Sequence, residues 1–267
     1  MIQSISLNGK PGVPNDDRAG CGDRHAWVID GATDLGPPGL VGARGGAAWL
    51  AATAHQAFQA ASGPLAEICA GVFDTVAVRF EHDRQRDVLA DWELPSAALA
   101  AVALEGDRLA CAFLFDCTVI HRSANGVAYL TPAPDRVSER TEAEALGPGA
   151  GAASVRSEAV LADRRAARER PRQVLSVDAD RARAAVQYAY AAVAPGDDIL
   201  LMTDGFAALI ETYDAYDKDS LIQAMLDGGL AALAGELRGI EHDDAGCLRY
   251  PRFKVSDDAT AIWLRVG

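Results

Sequence analysis

The sequence predicts an α+β fold in one domain over residues 1–267, with sheets flanked by helices. Three observations carry that expectation. Between residues 97 and 130, short β-compatible segments follow one another across tight turns, a pattern of antiparallel strands that argues against a doubly wound parallel sheet. On either side, apolar residues recur at helical spacing over segments of several turns. No internal repeat, low-complexity tract or linker divides the chain, and 49% of its 267 residues are apolar, enough for a sizeable core.

Residues 2–7 alternate polar and apolar as a first strand, and Gly9, Pro11, Gly12 and Pro14 force an irregular loop after it. That loop carries Asn15-Asp16-Asp17-Arg18, ordinary turn chemistry when read alone. Trp27-Val28-Ile29 is the apolar run of a short buried strand ending on Asp30-Gly31. After the turn at 36–42, the residues Trp49, Leu50, Thr53, Ala54, Ala57 and Phe58 place a buried helix within 42–61. The Gly63-Pro64 break then opens a second helix over 65–86. His55 and His82 fall on these helices, away from the acids in sequence, as core or surface histidines.

The segments 97–104, 108–116, 117–122 and 127–130 are expected to form one antiparallel meander, turning at 105–107 and 123–126. Residues 131–148, rich in Pro, Glu and Gly, form a surface excursion. A charged helix over 157–170 carries Arg164, Arg165, Arg168 and Arg170. That cluster reads as a solvated face, with substrate docking as the alternative. An Ala-rich helix with Tyr188 and Tyr190 spans 180–192, and Pro195-Gly196 closes it. A strand over 199–203 follows, then helices over 206–211, 218–226 and 230–241, and a closing strand over 259–266.

Formal net charge is −13, with acids spread along the chain, which argues against a nucleic-acid partner because phosphate backbones require a basic face. No run of membrane-spanning length and no basic-then-apolar leader occurs, so a cytoplasmic protein without a membrane partner is expected. The five cysteines form no C-x-x-C pair and read as free thiols, with Cys111 and Cys117 buried in apolar strands.

Four strand ends far apart in sequence each carry an aspartate: Asp30, Asp116, Asp204 and the Asp257-Asp258 pair. Carboxylates gathered at one place raise each other's pKa unless a cation neutralises them. All-oxygen ligation suits Mg²⁺ or Mn²⁺ better than zinc. His242-Asp243-Asp244 with Cys247 imitates a zinc site but lies in a loop, and zinc is not expected there.

Taken in order, Asp16-Asp17, Asp30-Gly31, Asp116 between strands, Thr203-Asp204-Gly205 and Asp257-Asp258-Ala259-Thr260 resemble the metal-dependent serine/threonine protein phosphatases of the 2C type, the PPM family. Asn125-Gly126, Leu130-Thr131 and Pro195-Gly196-Asp197-Asp198 add to the likeness, which spans nearly the whole chain. The resemblance implies a central β-sandwich of two antiparallel sheets flanked by helix pairs. It also implies two Mg²⁺ or Mn²⁺ ions, with room for a third, and a phosphoprotein substrate. By the same matching Asp30 bridges the two ions, the Gly31 carbonyl completes the second shell, and Asp204 and Asp257 hold the first ion. Asp16 and Asp17 lie near the second ion, and Asp116 serves a third. The implied reaction is hydrolysis of phosphoserine or phosphothreonine by a hydroxide bridging the ions.

The chain departs from the family pattern in four places. Asp34 replaces a glycine and either ligates or caps its turn. Asp16 is one methylene shorter than the family's glutamate. The family's upstream arginine is missing, with only Lys10, Arg18 or Arg24 nearby. Phe115-Asp116-Cys117 stands for Gly-Asp-Ser. These departures keep open a second expectation, a catalytically impaired pseudophosphatase acting as a binding or regulatory module.

Overall fold

Near-continuous apolar strands need cover on both faces, and the computed structural model, describing residues 1–135, 138–152, 158–170 and 172–267, supplies it in four layers. One sheet has the order β1 (Ile2–Leu7), β11 (Ala259–Arg265), β10 (Asp198–Met202), β6 (Thr118–Ser123), β7 (Gly126–Tyr129). The other has the order β2 (Arg18–Cys21), β3 (His25–Gly31), β4 (Ser96–Glu105), β5 (Arg108–Leu114), β9 (Gln187–Ala192), with the short β8 (Leu175–Ser176) beside the start of β4. All these pairings are antiparallel.

Side-chain alternation sorts the strands between layers. Ala26 and Val28 of β3 meet Ile199, Leu201 and Ile262 between the sheets. Trp27 and Ile29 face outward to α1 (Gly46–Ala60) and α2 (Leu65–Asp83). On the far side, α6 (Asp204–Glu211) and α7 (Lys218–Asp243) cover the other sheet through Phe206, Leu221, Leu233 and Leu237. Each such large side chain contributes about 1.5–3 kcal/mol on full burial. The predicted helices at 218–226 and 230–241 form one run, broken at Gly229, whose φ of 72° is outside helical geometry.

Two expectations are corrected. The meander over 97–130 is two hairpins in different sheets, because the chain leaves β5 for the opposite sheet through Phe115 and Asp116. The predicted helix over 180–192 is α5 (Ala179–Ala185) followed by strand β9; from Gln187 onward exposure alternates residue by residue, and pairing with β5 overrides the helical preference of alanine. Within the excursion, residues 138–145 form α3 (Ser138–Ala145).

The basic face is not simply solvated either. From α4 (Glu158–Arg168), Arg165 donates to the Leu35 carbonyl at 2.8 Å and lies over the Trp92 ring, and Arg168 donates to the Thr33 carbonyl at 2.6 Å. The expected start at 157 lies outside the described residues. All five cysteines are free, and four of them, including Cys111 and Cys117, are buried. No helix among the described residues is long and apolar enough to cross a membrane.

Candidate active site

The same alternation that buries Ala26 and Val28 carries Asp30, two residues on, to the inter-sheet side where β3 ends. On β10 the inward series Ile199, Leu201 continues to Thr203, after which α6 begins at Asp204. Thr203 does not cap that helix with its side chain. Its hydroxyl donates to Asp17 at 2.9 Å and accepts from the Thr260 amide at 3.0 Å, tying the N-terminal loop to β10 and β11. Gly205 has to be glycine: an added Cβ would lie 2.0 Å from the Asp258 carbonyl oxygen, so only its absence lets α6 start against the segment entering β11.

Asp258 organises the other side. Its two carboxylate oxygens accept from the amides of Gly9 and Asp16, each at 2.7 Å. The Asp17 amide donates to the Asn15 side chain at 2.7 Å, so the turn chemistry of this loop and its place beside the acids are both real. Gly31 sits in a close approach, where a Cβ would meet the carbonyls of Asp16 and Ala47 at 3.0 and 3.1 Å.

Burial, then the charges of Asp204 and Asp17, push the Asp30 carboxyl well above the usual carboxylate range. Burial does the same to Asp17, where Asp204 and Asp257 add to it against the Thr203 and Thr260 hydrogen bonds. Asp204 is raised by burial and by Asp257, and its buried Oδ1 has no hydrogen-bond partner. Asp16 is raised by burial, against the Arg44 guanidinium 2.7 Å away. Lys254 donates to both oxygens of Asp257, at 2.5 and 2.6 Å. Burial opposes its charge, yet Asp257, Asp204 and Asp30 hold the ammonium more firmly protonated than a free lysine.

Asp30, Gly31, Asp116, Asp204 and Asp257 line one cleft of about 550 Å³, together with Arg164, Arg168 and Arg172. Arg172 lies over the Phe115 ring at 4.3 Å and Arg164 over Phe253 at 4.5 Å. Burial lowers the pKa of Arg172, and that of Arg168 to about 10. Phe115 has φ 67°, a left-handed backbone that glycine adopts freely. The crossover therefore keeps a glycine-like conformation where the family has Gly-Asp-Ser.

Of the expected site residues, five line the cleft, Asp17 interacts with Asp30, Asp204 and Asp257 through its charge, and Asp16 pairs with Arg44. Asp34 accepts from the Gly46 and Ala47 amides at 2.7 and 3.2 Å, which ties its turn to the start of α1. Arg18 and Arg24 turn to backbone carbonyls, those of Asn15 and Leu104 among them. Asp244 binds Arg252 at 2.7 Å and the amides of Leu248, Arg249 and Tyr250, a structural role. Lys254, Arg44 and Arg172 were not expected, and the one sequence signal is Lys254 lying three residues before Asp257.

Among the described residues, no three or more Asp, Glu, His or Cys side chains stand ready to hold a metal ion. Partners already engage several acids, Lys254 on Asp257 and Arg44 on Asp16 among them. The donor set nevertheless fits a hard divalent cation: it offers oxygens alone, and the orphaned Asp204 Oδ1 is a buried acceptor.

A model of the protein phosphatase 2C family matches residues 8–228. No curated protein matches the chain by sequence. Among solved structures, the Mycobacterium tuberculosis serine/threonine phosphatase PstP/Ppp superposes with TM-score 0.58 at 16% identity, covering 100% of this chain and 98% of that one. The PPM phosphatase MsPP from Mycobacterium smegmatis, in complex with cacodylate, gives 0.56 at 18%, covering 100% and 98%. PppA of the Pseudomonas aeruginosa type VI secretion system gives 0.57 at 16%, covering 100% and 97%. At these identities the structures establish the shared fold. The chain belongs to the protein phosphatase 2C family, and by that membership it is a phosphatase.

Proposed function

We propose that residues 1–267 act as one domain, a divalent-metal-dependent phosphatase that hydrolyses phosphoserine or phosphothreonine in proteins. The observation that carries this reading is that Asp30, Asp204 and Asp257 line one cleft, that a buried oxygen of Asp204 has no hydrogen-bond partner, and that the charges of Asp204, Asp17 and Asp257 act on Asp30. Asp30, Asp204 and Asp257 would hold Mg²⁺ or Mn²⁺, with Asp16, Asp17, the Gly31 carbonyl and Asp116 nearby. The ions would supply an activated water and neutralise charge on the phosphoryl group. A solved structure of the PstP catalytic domain carries two manganese ions, which supports the same chemistry here.

The chain's own contribution is to orient the substrate. A phosphoester is an anion entering a cleft lined by acids, and Arg164, Arg168 and Arg172 give that cleft positive charge. They take the place of the upstream arginine the sequence lacks.

Turnover of p-nitrophenyl phosphate and of phosphopeptides with Mn²⁺ tests the reading. We expect hydrolysis that a chelator stops and that Asp204→Ala lowers by on the order of 10²–10³. Rates equal to the Asp204→Ala control across several substrates contradict it. One observation favours the impaired-module reading, the occupation of Asp257 by Lys254, and metal-dependent turnover removes that alternative.

A further inference from the structure

Lys254 stands where a metal-dependent phosphatase needs its cation. Its ammonium reaches both Asp257 oxygens and also interacts with Asp204 and Asp30. An ammonium and a divalent ion on one carboxylate repel each other strongly in a half-buried site, so the two do not share it. Residues 254–258 belong to neither helix nor strand, and a lysine carries its charge on a flexible four-carbon stem. The residue type matters as well. Only three of the 25 basic residues are lysines, Lys10, Lys218 and Lys254. An arginine at 254 would fork both Asp257 oxygens in a planar, rigid pair, whereas a lysine is a compact charge on a flexible stem and easier to displace.

We propose that Lys254 is a resident counter-ion of the acid cluster, one that competes with the divalent ion for Asp257 and turns away when the ion binds. The proposal rests on reading Asp30, Asp204 and Asp257 as ion ligands. Lys254 offsets part of the site's negative charge at low metal and raises the metal concentration needed for loading.

Calorimetric titration of Mn²⁺ into the full-length, ion-free protein tests it. Lys254→Met is expected to bind Mn²⁺ roughly 5- to 150-fold more tightly than the wild type, the usual span of coupling between ligands that oppose each other. Affinities within twofold of each other, or weaker binding by the variant, overturn the competition and leave the phosphatase reading standing. Binding by neither protein overturns both.

A second measurement uses the wild type alone, in case Lys254→Met unfolds without metal. Reductive methylation with ¹³C-formaldehyde gives each lysine its own NMR signal, with Lys10 and Lys218 as internal controls. Relative to them, Lys254 is expected to react slowly in the ion-free protein and several-fold faster in saturating Mg²⁺. An unchanged or slower rate at Lys254 overturns the proposal.

Discussion

Asp258 holds two remote backbone amides with one carboxylate, and those contacts fix the loop carrying Asp16 and Asp17 against the entry to β11. Asp258→Ala strands both N–H groups. The expected loss is about 1–3 kcal/mol for each group that water does not reach, read as a lower urea midpoint at unchanged m. A shift under about 0.5 kcal/mol, the size of an ordinary surface change, contradicts that role. At this scale the sequence was legible where a residue acts through its own neighbours, as with Asp30 before Gly31 and Asp204 before Gly205. It was silent where the partner is set by folding. Arg44 meets Asp16 from 28 positions away, and Asp34, left open between ligand and cap, is decided by where α1 begins.

The elements around the cleft differ in what holds them. The segment from Asp244 to Asp257 has no regular backbone pairing beyond the end of α7, and Asp244 fastens it through Arg252 and three amides. Those partners outweigh burial and hold the Asp244 carboxyl down to about 2, against an ordinary value of 3.8. A depressed acid stabilises the fold above its unfolded pKa and loses that contribution as pH falls through the folded one. The melting temperature should therefore fall between about pH 4 and pH 2 more steeply in the wild type than in Asp244→Asn, which starts lower. Parallel curves would show that Asp244 does not anchor the segment. Across the cleft, Arg172→Ala should raise KM for a phosphopeptide by about tenfold, as expected for one lost charge-assisted contact. An unaltered KM removes Arg172 from substrate binding. The α4 face was misread as solvated because Arg165 and Arg168 meet carbonyls of the loop after β3, which helical periodicity does not disclose.

Across the whole molecule, burial on both faces of the inner strands β3, β4, β5, β6 and β10 made those strands easy to find as apolar runs. It also erased the alternation that assigns strands to sheets. That is why the 97–130 region looked like one meander: no glycine marks the crossover, and Phe115 takes the left-handed turn instead. The order of acids along the chain carried the family likeness, and the stacked sheets explain it, since Asp30 comes from one sheet while Asp204 and Asp257 flank strands of the other. If the proposed function is right, these three aspartates hold divalent ions together. Anomalous scattering from crystals grown with Mn²⁺ tests it most directly. Peaks are expected within ligand distance of Asp30, Asp204 and Asp257, with the Lys254 ammonium turned away from Asp257. A cleft without a manganese peak, or manganese bound only elsewhere, would contradict it.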